Sequence, residues 1–461
     1  MDILIKNGTV VTDSSIYKSD ILLQNGKISQ IEKQILNAEN CEVIDASGKY
    51  IFPGGIDPHV HMDLPTWAGN SCDNFESGSK AAIAGGTTCF LDFVTPARNE
   101  SYLEALKKRK IEAENSWIDY GLHMSITSWN ENSKNEIKQC VENEGVTSFK
   151  AYMAYKKSVG IDDSALLKAM DSISDNSGIL MVHCENGDLI EFLENRTEKH
   201  SPHFLNSPDE HAEIHNQDTE IEAVSRILLY HSYNDCLLYL VHISLEESIN
   251  LIKGFNSPDI CVETCPHYLL LDDSRYKLPN FEAAKYVISP PLRDKSNNEA
   301  LWEALGNFDV TAIGSDHCPF NFKGQKDFGK SDFRKIPNGA GGVEHRMPLL
   351  YTYGVEKGKI SLNQFVYFTS THIAEVFGLN KRKGFIEIGY DADLVIWDSE
   401  KKQIISAKNH HQRCDYNIYE GMKIKGLPEK VIVGGELVFD NGNFIPPKRK
   451  SEFLFRELPV L

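Results

Sequence analysis

Between residues 53 and 384 the chain alternates short apolar runs with amphipathic stretches. Runs of four to eight apolar or β-branched residues read as buried strands, and apolar residues recurring every three or four positions read as helices. Eight strands are predicted this way, at 55–59, 88–93, 120–126, 147–152, 178–183, 237–242, 259–264 and 310–316. Helical stretches at 77–84, 102–114, 221–233 and 246–253 lie between them. Eight β/α units in this length fit a TIM (β/α)8 barrel with insertions. A doubly wound open sheet is the structural rival, but no GxGxxG fingerprint follows any of these strands.

The two ends share a different pattern. Residues 1–52 and 385–442 carry short β-rich runs punctuated by Gly turns, including Asn25-Gly26 and Asn441-Gly442. Asn-Gly between apolar runs is a hairpin signal. The expectation is one small β-sandwich built from both termini, with two separate small sheets as the alternative. Residues 443–461 are basic and then apolar, and read as an arm docking on a neighbouring surface, of this subunit or another, or as a frayed tail.

Composition narrows the function. With 41% hydrophobic and 25% charged residues the chain is an ordinary globular mixture. Its formal net charge of -18 argues against nucleic acid and anionic membranes as partners. No segment approaches the length of a membrane-spanning helix, and no secretory leader is evident. The ten cysteines are scattered, several within apolar runs (Cys89, Cys140, Cys236, Cys261), which points to reduced thiols in the cytoplasm.

Chemistry enters at strand ends, because barrel enzymes place catalytic groups at the carboxyl ends of their strands. The first strand leads into His59 and His61, the fourth into Lys150, the fifth into His183, the sixth into His242 and the eighth into Asp316. One histidine at a strand end is usually a core residue; four beside an aspartate suggest a metal site. Asp316 could alternatively cap a following helix. An ammonium has no acceptor and cannot ligate a cation. If the metal site lowered the pKa of Lys150, its amine could react with carbon dioxide to give a carbamate, a two-oxygen anion able to bridge two metals.

These residues sit in Gly54-Gly55-Ile56-Asp57-Pro58-His59-Val60-His61, Ser148-Phe149-Lys150-Ala151-Tyr152-Met153-Ala154-Tyr155, His183-Cys184-Glu185-Asn186-Gly187 and Ser315-Asp316-His317-Cys318-Pro319. With them go Val241-His242-Ile243-Ser244, Glu263-Thr264-Cys265-Pro266-His267, Ser289-Pro290-Pro291-Leu292-Arg293 and Ile336-Pro337-Asn338-Gly339. Across nearly the whole chain this set resembles the dihydropyrimidinase/D-hydantoinase family of the amidohydrolase superfamily.

The resemblance implies two zinc ions. His59, His61 and Asp316 would hold one, His183 and His242 the other, with carboxylated Lys150 and a hydroxide as bridges. It implies ring opening of a small cyclic ureide, with Asp316 moving the proton and Tyr155 donating to the oxyanion; a core or rim role for Tyr155 is the alternative. Ser289 and Asn338 match positions whose main chain holds the substrate's N–CO–NH edge. Leu64, Trp67 and Tyr152 are candidates for an apolar gate, although Pro65-Thr66-Trp67-Ala68-Gly69-Asn70 departs from the commonest hydantoinase wording. His267 is expected to be structural, and His317 to point away from the site if its strand continues. Cys318 could pack or line the pocket.

The resemblance also implies a homotetramer. An allantoinase or dihydroorotase, and a non-enzymatic dihydropyrimidinase-related scaffold, are the competing readings. A scaffold should lack metal ligands, and all six are present.

Overall fold

The computed structural model describes residues 2–36 and 41–460; Met1 and Leu461, the outermost residues of the first and last predicted segments, lie outside them. Eight parallel strands follow one another in chain order around a barrel: Gly55–Val60, Thr87–Val94, Asp119–Ser125, Ser148–Tyr152, Ile179–His183, Leu237–Leu240, Ile260–Thr264 and Ala312–Ile313. They are buried almost throughout, as strands covered on both faces must be. The last strand meets the first through a parallel bridge between His317 and Val60 and a 2.8 Å bond from the His61 N–H to the His317 carbonyl. The barrel predicted from the apolar pattern is therefore the observed one, and the open sheet is excluded.

Two strands are shorter than their apolar runs suggest, for a local reason. His242 and Asp316 both adopt left-handed backbone conformations, with φ of 41° and 47°. A non-glycine residue there cannot continue a ladder. The sixth strand therefore stops at Leu240 and the eighth at Ile313. Gly314 supplies the room for this turn: a Cβ on it would fall 2.6 Å from Glu263 Oε2.

Helices pack around the barrel. Phe75–Ala84 starts at Asn74, whose side chain accepts from the Ser77 N–H while Ser77 answers to the Asn74 N–H. This reciprocal cap begins the helix two residues before the predicted 77. Gln217–His231 likewise starts early, capped by Asn216.

Both termini build one nine-stranded, mostly antiparallel sheet. Its join is the antiparallel pair of Tyr50–Pro53 with Leu394–Ile404, in register Leu394 to Pro53. Ile5, Ile21, Ile51, Ile396 and Ile432 bury together in its core, so neither terminus could complete that core alone.

The arm docks on its own chain. Asn443–Phe444 is still a sheet strand, and the last residues dock on the amino-terminal end of this chain's own barrel. The Tyr120 N–H donates to Glu452, Leu454 donates back to Tyr120, and the Arg456 N–H donates to Gly145. Buried Arg456 then reaches the Ser148 hydroxyl at 2.8 Å and the Leu122 carbonyl at 2.6 Å. The neighbouring surface that satisfies this arm's backbone is thus intramolecular.

Candidate metal centre

The carboxyl ends of the strands surround a cavity of about 820 Å³. Every residue singled out from the sequence for metal, substrate or catalysis lines it. His59 Nε2 and His61 Nε2 each lie 3.3 Å from Asp316 Oδ1. The ligand atoms of these three all fall within 4.8 Å of one another, a spacing one cation can span. Opposite them, His183 Nδ1 is 3.1 Å from His242 Nε2.

Lys150 stands among these groups on the fourth strand. Its Nζ is buried and has no hydrogen-bond partner. The Phe93 and Tyr152 rings each lie 5.4 Å from it. Burial lowers its amine to about 8. A buried ammonium without an acceptor is costly, and a neutral amine there is a nucleophile.

Three of these histidines are biased toward the neutral form. Burial pushes His61, His183 and His242 down, and for His242 the neighbouring His183 adds to the effect. Burial opposes ionisation of Asp316, but His59 and His61 outweigh it and hold the carboxyl well below its ordinary range.

Two buried glutamates, to which the sequence reading assigned no role, orient the histidines. Glu263 Oε1 lies 2.8 Å from His59 Nδ1, and Glu263 also accepts from the Tyr239 hydroxyl and the His242 N–H. Glu185 Oε2 lies 2.8 Å from His183 Nε2, and its other oxygen 2.8 Å from His215 Nδ1. Each glutamate occupies one ring nitrogen and leaves the other turned to the centre, which sets tautomer and orientation. The available signal was a carboxylate inside or just after an apolar strand, as in Cys261-Val262-Glu263.

The other candidates fall into place around this centre. Tyr155 takes a left-handed conformation, φ 55°, and its ring lies 5.1 Å from that of His183. Burial, with Glu185 adding to it, keeps its hydroxyl protonated. The Asn338 amide donates to the Ser289 hydroxyl at 2.9 Å. Leu64 and Trp67 stand at the mouth; Trp67 is 62% exposed and packs near Phe328. Tyr152 sits deeper, toward His183. Cys318 lines the cavity.

His267 does not line it. It is buried in the short helix Pro266–Leu270, where burial lowers its ring to about 4. His317 turns aside although its strand has already ended at Ile313: its Nε2 is 3.2 Å from Asp73, and its Nδ1 receives the Gly342 N–H.

The Amidohydrolase family model matches residues 50–438. The chain is 44% identical to the D-hydantoinase of Geobacillus stearothermophilus, over 98% of this chain and 96% of that one. It is 37% identical to the dihydropyrimidinase of Rattus norvegicus, over 99% and 91%. The crystal structure of the dihydropyrimidinase from Brevibacillus agri NCHU1002 superposes with a TM-score of 0.96 at 41% identity, covering all of both chains. With the barrel, the ligand cluster and these matches in hand, the chain belongs to the dihydropyrimidinase/D-hydantoinase family of the amidohydrolase superfamily, the cyclic amidohydrolases.

Proposed function

We propose that the enzyme opens the rings of 5,6-dihydropyrimidines, 5-substituted hydantoins or both, giving N-carbamoyl amino acids. The observation that carries this reading is Lys150: a buried amine with no partner, among four histidines and an aspartate. Carboxylated, Lys150 would place an anion between the His59–His61–Asp316 group and the His183–His242 pair. That donor set, nitrogen and carboxylate oxygen, fits zinc. Two zinc ions bound there would supply a water of lowered pKa and a Lewis acid for the carbonyl.

The chain's own residues would do the rest. Main-chain groups of Ser289 and Asn338 hold the N–CO–NH edge, so the scissile carbonyl faces the centre. Ionised Asp316 takes the proton of the attacking water and hands it to the leaving ring nitrogen. The Tyr155 hydroxyl, kept protonated by its burial, donates to the developing oxyanion. Leu64, Trp67 and Tyr152 receive the ring substituent and keep water out.

A dihydroorotase or allantoinase would need a cation or donors for a carboxylate or ureido tail. The cations at the cavity mouth are already engaged: Lys156 with Asp188 at 3.1 Å, Lys157 with Glu191 at 3.0 Å, and Arg334 with Asp332 at 2.8 Å. That favours apolar or unsubstituted rings. The convergence of all six ligand positions favours an enzyme over a scaffold. We further place it in the cytoplasm as a homotetramer. The buried thiols of Cys89, Cys140, Cys236 and Cys261 support the compartment. No helix among the described residues is long and apolar enough to cross a membrane.

The test is hydrolysis of dihydrouracil and 5-phenylhydantoin with zinc counted on the same sample. Two zinc per chain with opening of either ring supports the reading. Zinc with activity only on allantoin or dihydroorotate, or no zinc after metal loading, overturns it.

A further inference from the structure

Lys326 is fully buried, carries a cation-forming amine, and has no place in the chemistry above. No carboxylate pairs with it among the described residues. Its Nζ donates instead to two main-chain carbonyls, Val287 at 2.8 Å and Pro337 at 3.0 Å. Val287 stands two residues before Ser289, and Pro337 directly before Asn338. These are the two segments to which ring recognition is assigned.

We propose that Lys326 is a positioning residue for substrate recognition, tying the Ser289 and Asn338 segments together at the spacing the N–CO–NH edge requires.

Three further contacts lie along the same line. The Gly339 N–H donates to the Val287 carbonyl at 3.1 Å, so that oxygen receives both the backbone and the lysine. The Asn338 amide reaches the Ser289 hydroxyl at 2.9 Å. The Ile288 carbonyl, between Val287 and Ser289, lies 2.8 Å from His211 Nε2. Neighbouring Gln325 donates to the carbonyls of Asn70 at 2.9 Å and Ala68 at 3.2 Å, in the loop that carries Trp67. One turn of chain thus braces both the ring-binding edge and the mouth.

The clamp survives titration. Burial lowers the Lys326 amine to about 7, but a neutral amine keeps two N–H donors, enough for two carbonyls. A buried polar group persists where its hydrogen bonds are made, and among the described residues the Lys326 amine makes these two.

The inference rests on the assignment of Ser289 and Asn338 to ring binding. Its test is Lys326→Met, which keeps the stem and removes the donors, assayed with dihydrouracil and 5-phenylhydantoin. Expected are wild-type zinc content, kcat within about threefold, and KM raised about tenfold for both rings, because both present the same edge. Lys326→Arg, which retains donors, should recover part of that loss. Trp67→Ala should instead change the ratio between the two substrates. Unchanged KM in Lys326→Met, a rise for one ring only, or loss of zinc overturns the inference while leaving the enzyme's function standing. If neither the Met nor the Arg variant folds, Lys326 is a folding requirement and the inference also falls. A wild-type enzyme that opens neither ring overturns both.

Discussion

Glu263 on the seventh barrel strand and His59 on the first, 204 residues apart in sequence, meet with Oε1 and Nδ1 2.8 Å apart. Because that nitrogen is occupied, only His59 Nε2 can face Asp316. A neutral ligand histidine needs this second partner to hold one tautomer. Glu263→Gln should therefore weaken zinc binding about 10- to 100-fold with the fold intact. Titration of apo-enzyme with zinc checks it; wild-type affinity would remove Glu263 from the site.

Lys150→Ala should lose bound metal and activity together, because the bridging anion is gone. Short-chain carboxylic acids added to the variant should restore part of both by entering the vacated space. Metal content and turnover are measured on the same sample, and full retention of both would refute the bridging assignment.

Tyr155→Phe keeps the ring against His183 and removes the donor. The expected result is a fall in kcat of about 100-fold with zinc content unchanged. An unaltered kcat would return Tyr155 to a packing role.

Stability between barrel and terminal sheet depends on Lys383. Its Nζ is buried against Asp119 of the third barrel strand at 2.7 Å, and against Asp391 and Asp393 beside the sheet at 3.0 and 2.7 Å. Lys383→Met leaves Asp393 without its ion-pair partner, while Asp119 keeps Arg449 and Asp391 keeps Lys27 and Arg382, and should lower unfolding free energy by about 3 kcal/mol, read from urea midpoints.

The same cluster sets an acid limit. Burial opposes ionisation of Asp391, but Lys383, Lys27 and Arg382 outweigh it and draw the carboxyl from 3.8 down to about 2. A depressed carboxyl stabilises the native state above its unfolded pKa, and that contribution disappears as pH falls through the folded one. Stability should fall from about pH 4 towards 2 in the wild type, and Asp391→Asn should flatten that limb. An identical pH profile in the variant would show that Asp391 carries none of it.

Much of this was legible in one dimension. Eight apolar runs with helices between them state a barrel, because strands buried on both faces cannot afford polar positions. Polar residues that interrupt those runs at their carboxyl ends, His183 and Asp316 above all, mark the site. The joint terminal sheet was legible as two matching patterns, although only pairing showed that Tyr50–Pro53 and Leu394–Ile404 are its join.

The rest required three dimensions. The apolar runs near His242 and Asp316 do not show that the strands end early, since the hydrophobic pattern carries no signal of the left-handed backbone at either residue. Glu263, Glu185 and Lys326 are ordinary charged residues in the sequence. Their meaning comes from burial and from partners 21 or more residues away for Glu263, 30 for Glu185 with His215, and 39 for Lys326 with Val287. The arm could not be assigned a surface from its own residues, because the acceptors that capture Arg456 lie at the barrel floor. The sequence by itself determined which elements form and which atoms can ligate, since both follow from local pattern and side-chain chemistry. Tertiary structure alone decided which nitrogen of each histidine faces the centre and which segments are braced, because those are set by contacts that exist only once the barrel has closed.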